Sequence, residues 1–172
     1  MRRLIVVLFF ISIVGILFAQ PSIDTTIGKL NKNSVEYISV TQLLQDSSVV
    51  LLDTRKKEEY DVSHIQNAIW VGHRKFKLNL VESKIVDKKA PIVVYCSIGV
   101  RSEDIGEKLL KAGYTNVKNL YGGIFEWKNK GLPVFDQSNQ ETQKVHAFNR
   151  YWGKFLKNAE KVYRFKNKAL EN

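Results

Sequence analysis

Apolar positions in this chain gather into short continuous runs, separated by stretches in which apolar residues recur at helical spacing. Val49-Val-Leu-Leu-Asp53 and Ile92-Val-Val-Tyr95 are continuous runs too short for helices, and they read as buried strands. Residues 35–40, 68–71 and 116–120 are three further strand candidates. Helical signals lie between them. Thr41 caps one or two turns ending at Asp46, and residues 56–60 form a short polar helical stretch. Residues 75–86 carry Phe76, Leu78, Leu80, Val81, Ile85 and Val86. Beyond Ser102, a plausible N-cap, Ile105, Leu109, Leu110 and Ala112 mark an apolar face against charged Glu103, Asp104, Glu107, Lys108 and Lys111. Gly113 supplies the C-terminal stop. A last helix over 124–130 is stopped by Gly131 and Pro133. Strands alternating with helices predict an α/β sandwich around a mainly parallel sheet. In such sheets ligands bind beyond the C-terminal ends of the strands.

The two ends depart from this rhythm. Arg2 and Arg3 precede an apolar run over 4–19, broken only by Ser12 and Gly15, which has the form of a secretory signal peptide. Cleavage is expected after Ala19, with an uncleaved membrane anchor as the alternative. The chain then divides into a polar linker over 20–34, a main domain over 35–136, a second linker over 137–143, and a basic segment over 144–172. In that last segment Phe148, Tyr151, Trp152, Phe155, Leu156, Ala159, Val162 and Tyr163 recur at helical spacing, with lysines and arginines mostly elsewhere. It reads as an amphipathic C-terminal helix, packed on the domain, laid on an anionic membrane surface or docked to an acidic protein partner. The formal charge of +10 on 172 residues would permit nucleic-acid binding, but an exported, periplasmic chain is not expected to meet any.

The chemistry centres on Cys96, the one cysteine of the chain, at the junction of a strand and a helix. A lone cysteine is commonly a small buried hydrophobe. Here the loop Ser97-Ile98-Gly99-Val100-Arg101 follows it. Successive backbone N–H groups of such a loop form an anion nest, the helix N-terminus adds partial positive charge, and Arg101 adds a full one. Gly99 permits a left-handed turn. All of this favours thiolate over thiol, which makes a reactive, solvent-open nucleophile the sharper reading.

Several motifs in order resemble the rhodanese-like sulfurtransferase family over roughly residues 35–135. Leu-Leu-Asp53-Thr-Arg55-Lys-Lys-Glu58-Glu59-Tyr60-Asp-Val-Ser63-His64-Ile65 is similar to its first signature. Val-Val-Tyr-Cys96-Ser-Ile-Gly99-Val-Arg101-Ser102 is similar to its active loop, and Leu120-Tyr-Gly122-Gly123-Ile124-Phe-Glu126-Trp127 with Gly131-Leu-Pro133-Val to its closing signature. Ser63, Gln66-Asn67 and Val71-Gly72 depart from the family pattern at turns. The resemblance implies a three-layer α/β/α domain, and a thiosulfate sulfurtransferase that carries sulfane sulfur as a Cys96 persulfide to cyanide or a thiol. The backbone of Ser97, Ile98, Gly99, Val100 and Arg101 would hold the anionic donor. Alternatives are a persulfide carrier serving a dedicated partner, or a phosphatase or arsenate reductase. The four residues between Cys96 and Arg101 match the sulfur-transferring branch, because those oxyanion enzymes have a longer loop. No metal or organic cofactor is implied.

Asp53, Arg55, Glu58 and His64 read as a structural network fixing the turn after the second strand. His73, Arg74 and Lys75 follow the third strand, either rimming the pocket or forming a solvated loop, and Trp127 is expected in the core.

Overall fold

The computed structural model describes residues 22–163. Its centre is a sheet of β1 (Tyr37–Ile38), β2 (Val50–Asp53), β3 (Ile69–Trp70), β4 (Ile92–Tyr95) and β5 (Val117–Leu120), in the order β1-β5-β4-β2-β3. All of its pairings are parallel. The register sets Leu52 beside Val94 and Asp53 beside Tyr95. β4 is therefore flanked on both sides, and its four residues are all buried. Alternation along the strand sends Ile92 and Val94 to one face, and Val93 and Tyr95 to the other.

Each face carries its own helices. Ile92 and Val94 pack with Val81 and with Ile105 and Leu109. These come from α4 (Leu78–Glu82) and α5 (Val100–Lys111). Val93 and Tyr95 pack with α1 (Ile23–Leu30), α2 (Val40–Leu43) and α6 (Gly123–Asn129), through Ile27, Leu43, Ile124 and Phe125. The fold is a three-layer α/β/α sandwich with a mainly parallel central sheet. α3 (Lys57–Val62) leads out of β2 beside the carboxyl edge of the sheet.

Local chemistry moved several boundaries. The span 20–34, expected as a linker, holds α1, because Ser22 and Thr25 exchange hydrogen bonds in a capping box and Thr26 and Ile27 are buried. Ser39, not Thr41, caps α2 through a capping box with Gln42. The span 137–143 is no free linker either: β6 (Val134–Phe135) pairs antiparallel with β7 (Glu141–Thr142) across a turn held by Asp136.

The largest correction concerns the C-terminal segment. Among the described residues its helical part is one 3₁₀ turn, Trp152–Lys154, between β8 (Lys144–His146) and β9 (Glu160–Val162), which pair in parallel. Val145, Ala147, Phe155 and Leu156 join the core. Phe148, with φ of 63°, turns the chain where an uninterrupted helix would have to run. The signal peptide expected over 1–19 and the end of the segment beyond 163 lie outside the described residues.

Candidate active site

Cys96 leaves the carboxyl end of β4 at the middle of the sheet, and Ser97, Ile98 and Gly99 are buried with it. The turn back into α5 is made at Gly99, whose φ of 109° is a left-handed value that a side chain rarely tolerates. Gly99, not Ser102, holds the N-cap position. Its N–H donates to the Cys96 Sγ at 3.2 Å. Its carbonyl accepts from Asn119 Nδ2 at 2.8 Å and from Asn31 Nδ2 at 2.9 Å. Ser102 is freed from capping and donates its hydroxyl to Asn119 Oδ1 at 2.7 Å.

The other side of the loop is held by α6. Ile124 N–H donates to the Cys96 carbonyl at 3.0 Å, and Phe125 N–H to the Ser97 carbonyl at 3.1 Å. These are first-turn donors with no partner inside their own helix. The approach is so close that a Cβ on Gly123 would stand 2.4 Å from the Cys96 carbonyl oxygen.

Arg101 is fixed rather than free. Its Nη1 and Nη2 donate to Glu59 Oε2 at 2.7 Å and Oε1 at 2.9 Å, and Nη2 also reaches Ser97 Oγ at 3.0 Å. Glu59 is fully buried. Burial opposes its charge, but the Arg101 and Arg55 guanidiniums hold its carboxyl below the usual range. Arg101 thus stands beside the thiol as a preset positive charge, much of its hydrogen-bonding fork already engaged by Glu59. At Cys96 burial likewise opposes ionisation. The Arg101 charge and the N–H groups of Ser102 and Gly99 outweigh it and bring the thiol below its ordinary value.

The sulfur is not open to solvent. Cys96 is 1% exposed, and it faces a pocket of about 140 Å³ lined by Ser97, Ile98, Val100, Arg101, Phe148 and Trp152. The two aromatic residues come from the C-terminal segment and close the pocket over the loop. Sequence reasoning missed this cap. Its signal was the aromatic cluster 148–155, which the helical spacing assigned to a helix face.

The expected structural network forms in altered membership. Arg55 Nη2 donates to Asp53 Oδ2 and to the Ser63 carbonyl, both at 2.6 Å, and Asp53 and Arg55 are wholly buried. His64 joins the neighbouring packing, stacked on Tyr60 at 4.0 Å and bridged to Phe135. Glu58 is exposed, and Glu59 occupies the interior place expected of it, one position along α3. His73 bonds Asp104 at 2.9 Å, while Arg74 and Lys75 lie exposed at a second cavity. Trp127 is in the core, its indole N–H donating to the Pro133 carbonyl.

Known proteins resembling this chain bear on the chemistry. The tRNA uridine(34) hydroxylase of Yersinia pestis is 36% identical over 102 residues, covering 55% of this chain and 29% of the relative. That of Yersinia enterocolitica matches over the same shares at 36% identity. The chain thus spans under a third of these relatives' length. A crystal structure of a Bacillus halodurans protein superposes with a TM-score of 0.53 at 22% identity, covering 66% of this chain and 85% of that one, which supports the fold alone.

The hydroxylases correct the functional expectation. They are named for hydroxylation of a tRNA base, not for transfer of sulfur from thiosulfate to cyanide, so the expected sulfurtransferase and persulfide assignments do not stand. The physical reason is that the loop stabilises an anion on Sγ without choosing the electrophile that this anion attacks. The model of the rhodanese-like domain matches residues 38–130, more than half of the chain, and the chain belongs to the rhodanese-like domain family.

Proposed function

We propose that this chain is a thiol-dependent enzyme in which the Cys96 thiolate attacks an electrophilic atom of the substrate and holds it as a transient covalent adduct. The observation that carries this reading is the convergence on one sulfur of the Gly99 N–H at 3.2 Å and the charge of Arg101, itself pinned by Glu59. Cys96 is the catalytic residue. Ser97, Ile98, Val100 and Arg101 form the surface against which the reacting group sits, and the Gly99 N–H holds the sulfur itself. Phe148 and Trp152 line the approach to the sulfur and shield it from water.

The relatives' named base supplies the substrate class. A uridine ring is electrophilic at C6. In the addition step the S–C6 bond forms, the C5–C6 π pair moves toward C5 and the C4 carbonyl, and C5 takes a proton. Reversal removes a C5 proton and expels the thiolate. The consequence is measurable without any oxidant: in heavy water the chain exchanges the C5 hydrogen of uridine 5′-monophosphate for deuterium, read by mass spectrometry. Exchange by the wild type and none by Cys96→Ala is the expected result. No exchange with either protein removes the uridine assignment. A thiol that also resists alkylation at neutral pH removes the nucleophile itself.

A further inference from the structure

A second and larger cavity adjoins the thiol pocket. Its volume is about 480 Å³, and it shares Arg101 and Phe148 with the pocket over Cys96. Its lining is strongly cationic. Lys56 and Lys57 come from the start of α3, Arg74 and Lys75 from the loop after β3, and Arg55 from the turn after β2, while Glu58 is the one carboxylate residue in the lining.

The cations fall into two groups. Arg101 and Lys57 are already matched, by Glu59 and Asp61. Lys56, Arg74 and Lys75 have no carboxylate partner among the described residues, and Lys56 instead sits over the Phe148 ring at 5.7 Å. Surface cations alone would be an ordinary solvated face. Arg55 makes the difference. It is 0% exposed, its Nε and Nη2 are engaged by Asp53 and Ser63, and its Nη1 has no hydrogen-bond partner among the described residues. A buried guanidinium nitrogen without an acceptor costs stability unless one arrives. Arg55 lies in the lining of this basic cavity, beside Lys56, Arg74 and Lys75, which have no carboxylate partner among the described residues, and the acceptor that answers such a group of cations is an oxyanion.

We propose that this cavity binds the phosphate group of a phosphate-bearing small ligand, whose far end reaches Cys96 past Arg101 and Phe148. The site divides the labour. The cavity holds the dianion through Lys56, Arg74 and Lys75, with the buried Arg55 beneath them, and the small pocket holds the reacting group. It deepens the thiolate reading and rests on it only for what happens at the sulfur; the binding itself needs no thiol.

The test is titration calorimetry on the full chain at low salt, with uridine 5′-monophosphate, inorganic pyrophosphate and uridine as probes. Binding of the monophosphate, with uridine at least about tenfold weaker, is expected. The Arg74→Ala/Lys75→Ala double variant loses about tenfold in affinity, while Lys89→Ala/Lys111→Ala, at the opposite end of the sheet, binds as wild type. Pyrophosphate binding alongside the nucleotide assigns the affinity to the phosphate alone; nucleotide binding without it assigns the site to a phosphorylated organic ligand. Either outcome supports the cavity. It is overturned if neither phosphate probe binds, if uridine binds as tightly as its monophosphate, or if the two double variants behave alike. Cys96→Ser binds as wild type, so a failure of the thiol chemistry leaves this result standing.

Discussion

At the scale of single residues, the site is built from contacts that tolerate no extra atoms and charges that need partners. Gly123 has almost no room: its missing Cβ would lie 2.4 Å from the Cys96 backbone oxygen. Gly123→Ala is expected to cost about 3 kcal/mol or more, because the clash is with main chain and neither side can yield cheaply. Chemical denaturation measures it. The Glu59–Arg101 pair is the second case. Removing the buried carboxylate's charge with Glu59→Gln frees the guanidinium to wander, while a lone charge on Glu59 in Arg101→Gln would be left buried. The second variant is therefore the more destabilising, by about 3–5 kcal/mol. It also raises the ionisation midpoint of Cys96, since the Arg101 charge is the largest influence favouring the thiolate.

At the scale of elements, much of the site could be read from the chain. β4 and α5 appeared as a β-branched run followed by an apolar stripe, so the position of Cys96 between them followed from pattern alone. The assignments that failed depended on contacts far apart in sequence. Glu58 and Glu59 look alike in a row of letters, and only the turn of α3 decides which one meets Arg101. The segment 144–163 has helical spacing of its aromatic residues, yet pairing of β8 with β9 and burial of Val145 and Phe155 override it. The capping role of Phe148 and Trp152 was invisible for the same reason. Phe148→Ala/Trp152→Ala is expected to speed labelling of Cys96 by a bulky maleimide about tenfold at fixed pH, as the cover over the pocket is removed. An unchanged rate would mean that these rings do not control access.

At the scale of the whole molecule, charge and burial set how stability follows pH. Glu59 has a folded pKa held below its ordinary 4.5, so its contribution is fully present above that value and fades as pH falls toward the folded one. His64 is displaced downward from 6.5, chiefly by burial, so folding resists its protonation and stability begins to decline already as pH drops through 6.5. Thermal melts between pH 8 and about pH 3 should show both declines, and Glu59→Gln should flatten the lower one. Part of the overall positive charge of +10 is gathered in the basic cavity beside the thiol. The decisive measurement is the pH dependence of Cys96 alkylation by iodoacetamide, followed by intact mass on the full chain. The account predicts a midpoint clearly below the value of about 8.5 for an unperturbed cysteine, moved upward in Arg101→Gln. A midpoint at or above that of an unperturbed cysteine in the wild type, unmoved by the Arg101 substitution, would contradict it.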